Sequence, residues 1–166
     1  MSKYDHILAK SLENGGTTLK SHLESVADFA VLAARYIGAD LAIARQGALL
    51  HDIGKTSPLF QKRLKSQYAC PSDLPFRHEI ASLFFLKLVA PELWPMMIDM
   101  IIAHHKSVSK DASETGFLDL DNDYEEVIFQ FHLSGFSLWS SEALGILGEL
   151  NFPGVTTEKF NSRSEE

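Results

Sequence analysis

The chain carries one adjacent histidine–aspartate pair, His51 and Asp52, and four further histidines lie at regular distances around it. His22 lies 29 positions before the pair, and His78 lies 26 positions after it. The doublet His104–His105 begins a further 26 positions along. Imidazole nitrogens and a carboxylate are suitable ligands for divalent first-row transition metals. Because an aspartate can bridge two ions while its neighbour holds one of them, the pattern predicts a two-metal hydrolase.

Helices must position these side chains, because apolar residues recur at three- and four-residue spacing along much of the chain. The first predicted helix carries His22 and contains the apolar positions from Leu19 to Ala34. Ser21 and Glu24 form a possible capping box for it, and Gly38 is a suitable stop. The pattern therefore predicts that the first candidate ligand lies inside a helix, near its start.

The second predicted helix delivers the histidine–aspartate pair. Asp40 is expected to cap this helix, which should end near His51 and Asp52 with Gly54 terminating it. A third helix is predicted to begin at the Ser57–Pro58 pair, because serine is a frequent N-cap residue and proline suits the first helical turn. The pair is therefore expected where one helix ends and a turn begins.

The remaining histidines fall on later helices. A strongly apolar helix is predicted from about residue 77 to 89, with His78 at its start. The next one carries the apolar run 96–103 directly into the doublet His104–His105. The other predicted elements are short helices at 124–133 and 141–150 and loops at 66–76 and 107–123. Because no useful length of β-alternation is present, the predicted class is all-α, a helical bundle with its metal site between helices.

Length and composition favour one domain. A chain of 166 residues with 45% apolar content can bury one core. No run approaches the ~18 consecutive apolar residues of a membrane span, and the N-terminal residues lack an apolar signal region. Cys70 is the only cysteine, which excludes an internal disulfide and fits a reducing compartment. We therefore expect a cytoplasmic protein with no membrane association.

Charge is unevenly distributed along the chain. The net charge is −7, yet residues 1–110 carry a balance of +3 and residues 111–166 a balance of −10. No acidic residue lies between Asp52 and Asp73, while four basic residues do: Lys55, Lys62, Arg63 and Lys65. This run is either a solvated helix face or a phosphate-attracting patch beside the candidate metal site.

The ordered motifs resemble the HD superfamily of metal-dependent phosphohydrolases. More narrowly, they are similar to the HD nuclease domain of the type I CRISPR-associated helicase-nuclease. The matching residues are His22, then HDIGK at 51–55, RHEIAS at 77–82 and IIAHH at 101–105. The resemblance covers roughly residues 17–106. It implies one HD domain over residues 1–166, in which 107–166 form an acidic C-terminal part.

The resemblance also implies two metal ions that share Asp52. The first ion would be held by His22, His51 and Asp52, and the second by Asp52, His78, His104 and His105. Five imidazoles favour Mn²⁺, Fe²⁺, Co²⁺ or Ni²⁺ over Mg²⁺, which prefers oxygen ligands. Asp52 and Lys55 are the predicted catalytic residues. Lys55 is expected to contact a non-bridging phosphate oxygen rather than to bind metal; the other reading is a surface cation at a helix C-terminus.

The chain departs from the family pattern at one ligand. The family supplies a further aspartate to the first ion from a later helix, whereas no aspartate follows Asp123 here. We expect a truncated or abbreviated chain whose first metal site is weaker than its second. Among nearby residues, Glu79 is expected to support the site rather than act as a catalytic acid. Ser82 either lines the site or packs as a small residue, and His6 and His132 are expected to be structural or exposed.

The leading functional expectation is an endo- or exodeoxyribonuclease. It would cut single-stranded DNA in CRISPR interference, an antiviral defence, together with a helicase in cis or trans and a guide-RNA effector complex. One alternative is an HD phosphohydrolase acting on a nucleotide. The cyclic-dinucleotide branch is disfavoured, because its doublet continues into a Glu and a Gly-Tyr-Pro segment, whereas Lys106 follows the doublet here. The other alternative is a catalytically impaired HD module that acts in assembly.

Overall fold

The computed structural model of the protein describes residues 2–65, 76–103 and 125–155, without the side chains of Glu125, Glu126 and Ile128. Within these ranges the chain is helical and forms no strand, apart from one isolated antiparallel bridge between Leu8 and Thr18. The predicted all-α class is confirmed. The α-helices are α1 Leu19–Ile37, α2 Leu41–Leu50, α3 Pro58–Leu64, α4 His78–Leu83, α5 Trp94–Ala103, α6 Glu125–Leu133 and α7 Phe136–Glu149.

Local capping sets the ends of α1 and α2. The hydroxyl of Thr18 accepts a hydrogen bond from the Ser21 amide at 3.2 Å, so Thr18 is the N-cap and the predicted capping box at Ser21 was wrong. Gly38 ends α1 as predicted, with a φ of 71° that favours glycine. The Asp40 carboxylate accepts from two amides at the start of α2, which confirms the predicted cap.

The predicted role of Gly54 was wrong. Helix α2 ends at Leu50, and Gly54 lies inside a following 3₁₀ turn, Ile53–Thr56. A side chain at Gly54 would collide with the His78 carbonyl oxygen, and its Cβ would lie 2.7 Å from the Ser82 amide nitrogen. Glycine is therefore needed here for close backbone approach to α4, not for ending a helix.

Two helix boundaries differ from the periodicity. The helix predicted at 77–89 ends at Leu83 and is followed by a 3₁₀ turn, Leu86–Leu88. Helix α7 begins at Phe136, five residues before its predicted start. Aromatic packing accounts for both, because the Phe85 ring lies 5.5 Å from Phe136 and 5.9 Å from the buried Trp139. Contacts between distant segments decide these boundaries, and periodicity within one segment does not report them.

The core lies where α1, α2, α4, α5 and α7 meet. Helix α1 packs against α2, and the 3₁₀ turn Ile53–Thr56 packs against α4 and α7. The largest fully buried side chains of the core include Trp139, Phe85, Phe152, Ile7, Leu19, Leu23, Leu49 and Leu50. Among the helices in the described ranges, none combines the length and the apolar character that crossing a membrane requires. Of the predicted loop at 66–76, only residue 76 is described, and it is not helical; the predicted loop at 107–123 and Cys70 lie outside the described residues.

Candidate metal centre

A single buried carboxylate, that of Asp52, is the centre of the predicted site. Its Oδ2 atom lies 2.9 Å from His22 Nε2 and 3.2 Å from His51 Nε2. The Lys55 ammonium lies 2.6 Å from the same oxygen. The other oxygen, Oδ1, lies 2.9 Å from His78 Nε2. Three imidazoles and one ammonium therefore surround one carboxylate whose side chain is 3% exposed.

Three different helices bring these groups together. His22 lies in the first turn of α1, His51 is the C-cap of α2, and His78 is the first residue of α4. Asp52 follows His51 directly, at the start of the 3₁₀ turn. The structure thus assembles four of the six predicted ligands around one point. The other two, His104 and His105, lie outside the described residues, so their convergence stays a prediction.

The hydrogen bond of His51 fixes which of its ring nitrogens faces Asp52. Its Nδ1 lies 2.6 Å from the Ala48 carbonyl oxygen, which can only accept, so Nδ1–H donates. In the neutral imidazole, Nε2 then carries a lone pair directed at Asp52 Oδ2. Two acceptors at 3.2 Å repel each other unless a proton or a cation lies between them. This geometry is the one in which histidines bind metals.

The donor set fits a divalent transition metal. One ligand atom from each of His22, His51 and Asp52 can be chosen such that all lie within 4.8 Å of one another. Two imidazoles and a carboxylate are suitable ligands for such an ion. His78 approaches the opposite carboxylate oxygen, as expected if Asp52 bridged two ions. The described residues therefore provide the three ligands that the chain was predicted to offer the first ion, and one histidine of the second site.

Burial lowers the pKa of His78 below its ordinary value, although the neighbouring Asp52 carboxylate favours the cation. The Phe60 ring lies edge-on at 5.1 Å from the imidazole and contributes to the apolar surroundings. A lowered pKa keeps the imidazole neutral near pH 7, and the neutral form is the one that can bind a metal. Packing and ligand chemistry therefore act in the same direction at His78.

Lys55 lies inside the cluster rather than on the surface. Its side chain is 14% exposed, and its ammonium also lies over the Phe60 ring at 5.6 Å from the ring centre. The 2.6 Å contact with Asp52 partly neutralises the carboxylate. The reading of Lys55 as a solvated surface cation is therefore wrong. Its predicted contact with a substrate phosphate is not tested by this geometry.

Glu79 pairs with Arg77. Its carboxylate accepts a hydrogen bond from Arg77 Nε at 2.6 Å, and both residues lie at the start of α4. Burial would raise the pKa of Glu79, but the hydrogen bonds from Arg77 and from its own backbone amide, together with the charge of Arg77, hold it below its ordinary value. The carboxyl is thus an anion paired with Arg77. This arrangement supports the position of α4 and agrees with the expected supporting role.

Ser82 fixes the histidine–aspartate turn from the side of α4. Its fully buried hydroxyl accepts from the Gly54 amide at 2.9 Å and donates to the His51 carbonyl at 3.1 Å. One side chain thereby satisfies two backbone groups on either side of Asp52. Of the two sequence interpretations, the packing role is supported, with a positioning function that the sequence pattern did not reveal.

His132 is a buried residue whose contacts the sequence did not indicate. It is 1% exposed, its Nε2 accepts a hydrogen bond from the Arg77 amide at 2.7 Å, and its ring stacks on Phe76. The expectation of a structural role is supported, and exposure is ruled out. His6 is exposed. Its Nε2 lies 3.4 Å from Oε1 of Glu142, so it pairs with α7 and not with Asp52.

Comparison with known proteins gives one match. A family model described as HD domain matches residues 19–130, which include all six predicted ligands. No match was found among curated proteins or among solved structures.

Proposed function

Because the chain belongs to the HD-domain family of metal-dependent phosphohydrolases, we propose that it is a nuclease that hydrolyses phosphodiester bonds of single-stranded DNA. The observation that carries this proposal is the position of Asp52, whose two oxygens face different histidines. Oδ2 faces His22 and His51, and Oδ1 faces His78. A carboxylate placed in this way suits a bridge between two ions.

In the proposed site, two divalent ions would share Asp52. His22, His51 and Asp52 would hold one ion, and Asp52, His78, His104 and His105 the other. The imidazole-rich set favours Mn²⁺, Fe²⁺, Co²⁺ or Ni²⁺, with Mg²⁺ as the weaker fit. When bound, such ions supply a water of lowered pKa and stabilise the charge that develops on the attacked phosphate.

The chain's own groups orient and balance this chemistry. Hydrogen bonding to Ala48 presents Nε2 of His51, and burial keeps His78 neutral. Lys55 is proposed to contact a non-bridging phosphate oxygen from its place beside Asp52. Its ammonium lies between Asp52 and the Phe60 ring, where the scissile phosphate of a bound strand would approach. The positive charge of Lys55 would thus help to bind the anionic substrate.

The surface beside the cluster supports a polymeric substrate over a mononucleotide. Lys62 and Lys65 are exposed at the end of α3, a helix that packs against the 3₁₀ turn next to Asp52. The sequence from Ile53 to Ser72 contains no acidic residue that would cancel their charge. A strand whose scissile phosphate lay at Asp52 could place neighbouring phosphates on these lysines. A nucleotide would leave them without a role.

The proposed role in CRISPR interference rests on the sequence motifs. The segments at 51–55, 77–82 and 101–105 are similar to those of the type I CRISPR-associated helicase-nuclease. We accordingly propose that the chain acts in antiviral interference, with a helicase in cis or trans and a guide-RNA effector complex as its partners. These partners would supply the single-stranded DNA.

Digestion of circular single-stranded DNA tests the function. We expect cleavage with Mn²⁺, none with EDTA, and little hydrolysis of mononucleotides. A Lys62→Ala/Lys65→Ala double variant should bind single-stranded DNA more weakly, with a log–log salt slope shallower by roughly 1.4. Lys87→Ala, which removes another exposed lysine, is the matched control. Cleavage of linear but not circular single-stranded DNA would indicate an exonuclease. Hydrolysis of mononucleotides alone would favour the nucleotide phosphohydrolase, and no hydrolysis of any of the three would favour the assembly module.

A further inference from the structure

Helix α6 contacts the segment just before the candidate ligand His78 through one buried histidine, His132. Nε2 of His132 accepts a hydrogen bond from the backbone amide of Arg77 at 2.7 Å, across 55 positions of sequence. Its ring stacks on Phe76, with centroids 4.8 Å apart and planes inclined by 27°. Phe76 and Arg77 are the two residues directly before His78. His132 therefore contacts the chain immediately before a candidate ligand, through a hydrogen bond and a ring stack.

This hydrogen bond ties the start of α4 to α6. Helix α4 has six residues, and its first residue is His78. The side chain of its N-cap residue, Arg77, does not cap the helix and donates instead to the carboxylate of Glu79, the second helical residue. The backbone amide of Arg77 is directed at His132. The backbone from which the His78 side chain projects is thus held by a contact with α6.

We propose that His132 is a positioning residue for His78, which orients the imidazole of His78 toward Asp52 without touching a metal. The proposal rests on the metal site of the proposed function and adds a residue outside the family's histidine–aspartate motifs. Partners that orient a ligand commonly contribute ten- to a hundredfold to metal affinity. His132 acts one residue away from the ligand, so we expect about tenfold.

Three substitutions separate the acceptor from the bulk of the side chain. His132→Gln can place an amide oxygen where Nε2 lies, His132→Asn is too short to reach the Arg77 amide, and His132→Leu fills the space without an acceptor. We expect Mn²⁺ affinity, measured by titration calorimetry, to fall about tenfold in the Leu and Asn variants. The Gln variant should stay within about threefold of the unmodified chain, because it keeps the acceptor. If the Leu variant does not fold, the Gln and Asn pair decides.

A control is needed to separate a specific fall in Mn²⁺ affinity from a general loss of stability. Phe152→Leu, a change in the buried core after α7, serves as the control for general destabilisation, with unfolding free energies measured alongside. A His78→Ala background supplies the second control. In that background His132→Asn should have no further effect on Mn²⁺ affinity, because the residue through which it acts is gone.

The outcomes are distinct. Equal Mn²⁺ affinity in the Asn and Gln variants, or additive effects of His132→Asn and His78→Ala, would overturn the positioning role. Binding of Mn²⁺ with the expected variant pattern but without DNA cleavage would uphold the positioning role and overturn the nuclease. Failure of the unmodified chain to bind Mn²⁺ would overturn both.

Discussion

Two lysine–carboxylate pairs in this protein have the same length and different surroundings. Lys55 Nζ lies 2.6 Å from Asp52 Oδ2, and Lys20 Nζ lies 2.6 Å from Glu149 Oε2. In the first pair the side chains are 14% and 3% exposed, and in the second 28% and 25%. The first carboxylate is also contacted by three histidines, whereas the second joins α1 to the last residue of α7.

The comparison teaches that distance does not set the role of an ion pair. Charges taken out of water are costly unless each is compensated, so removing one partner of a buried cluster leaves the others exposed to that cost. A partly solvated pair loses little when it is broken, since water replaces the partner. Asp52 is therefore suited to holding cations of any kind, and Glu149 only to a modest contact between helices.

The largest expected effect separates the two carboxylates. Asp52→Ala should weaken Mn²⁺ binding at least about a hundredfold and abolish metal-dependent cleavage, because it removes the shared ligand. It should also lower the free energy of unfolding by about 3 kcal/mol, because Lys55 loses its buried partner. Titration calorimetry and denaturant unfolding measure both quantities. Glu149→Ala is the control, and equal losses in the two variants would show that burial of the carboxylate does not decide its role.

Of the two lysines, only Lys55 should affect metal binding when it is replaced. Lys55→Met should tighten Mn²⁺ binding about tenfold, because it removes a positive charge beside the carboxylate that would bind the dication. DNA cleavage should nevertheless fall, since the proposed phosphate contact is lost. Lys20→Met should leave both unchanged. Weaker metal binding in the Lys55 variant would show that its ammonium orients Asp52 for the metal instead of competing with it.

The backbone support of the buried cluster gives a smaller effect. Ser82→Ala should lower the free energy of unfolding by about 2 kcal/mol, because the Gly54 amide and the His51 carbonyl lose a buried partner. Metal affinity should fall several-fold as the turn that carries Asp52 loosens. Ser141→Ala changes a serine of α7 that is at the surface and serves as the control. An unchanged Mn²⁺ affinity with reduced stability would limit Ser82 to packing.

The smallest expected effect concerns the surface pair and its dependence on pH. Burial alone would raise the pKa of Glu149, but the hydrogen bonds from Lys20 and Ser2 hold it below 4.5. A carboxyl with a lowered folded-state pKa adds stability above pH 4.5, and this stability is lost as pH falls through the lowered value. Glu149→Gln should therefore cost less than about 1 kcal/mol at pH 7 and progressively less below pH 4.5. Denaturant unfolding across this range measures it, and a cost that persists in acid would contradict the electrostatic origin.

The parts of the fold that were predictable from the sequence are those determined locally. The stop at Gly38 and the cap at Asp40 each depend on residues within one turn of the helix, and both were predicted. The grouping of His22, His51 and His78 around Asp52 was predicted from ordered residue types. Periodicity and motif order were sufficient because neither needs knowledge of distant contacts.

The parts that were not predictable depend on contacts between remote segments. The early end of α4 follows from packing of Phe85 against Phe136 and Trp139, some fifty residues along the chain. His132 had no signal beyond its place in an apolar segment, and its role depends on the position of Arg77. The convergence of His104 and His105 on Asp52 remains a prediction.

The close approach of Gly54 to α4 has a consequence for the order of folding. The contact between Gly54 and Ser82 closes a loop of 28 residues, and that between His22 and Asp52 closes one of 30. The entropic costs of closing these loops differ by less than about 0.1 kcal/mol, so loop length does not favour either closure over the other. Oδ2 of Asp52 gains His22 only when the second loop closes, and Oδ1 gains His78 only when α4 is in place, so both closures must precede full metal binding. Metal added to a refolding chain should therefore slow unfolding without accelerating folding.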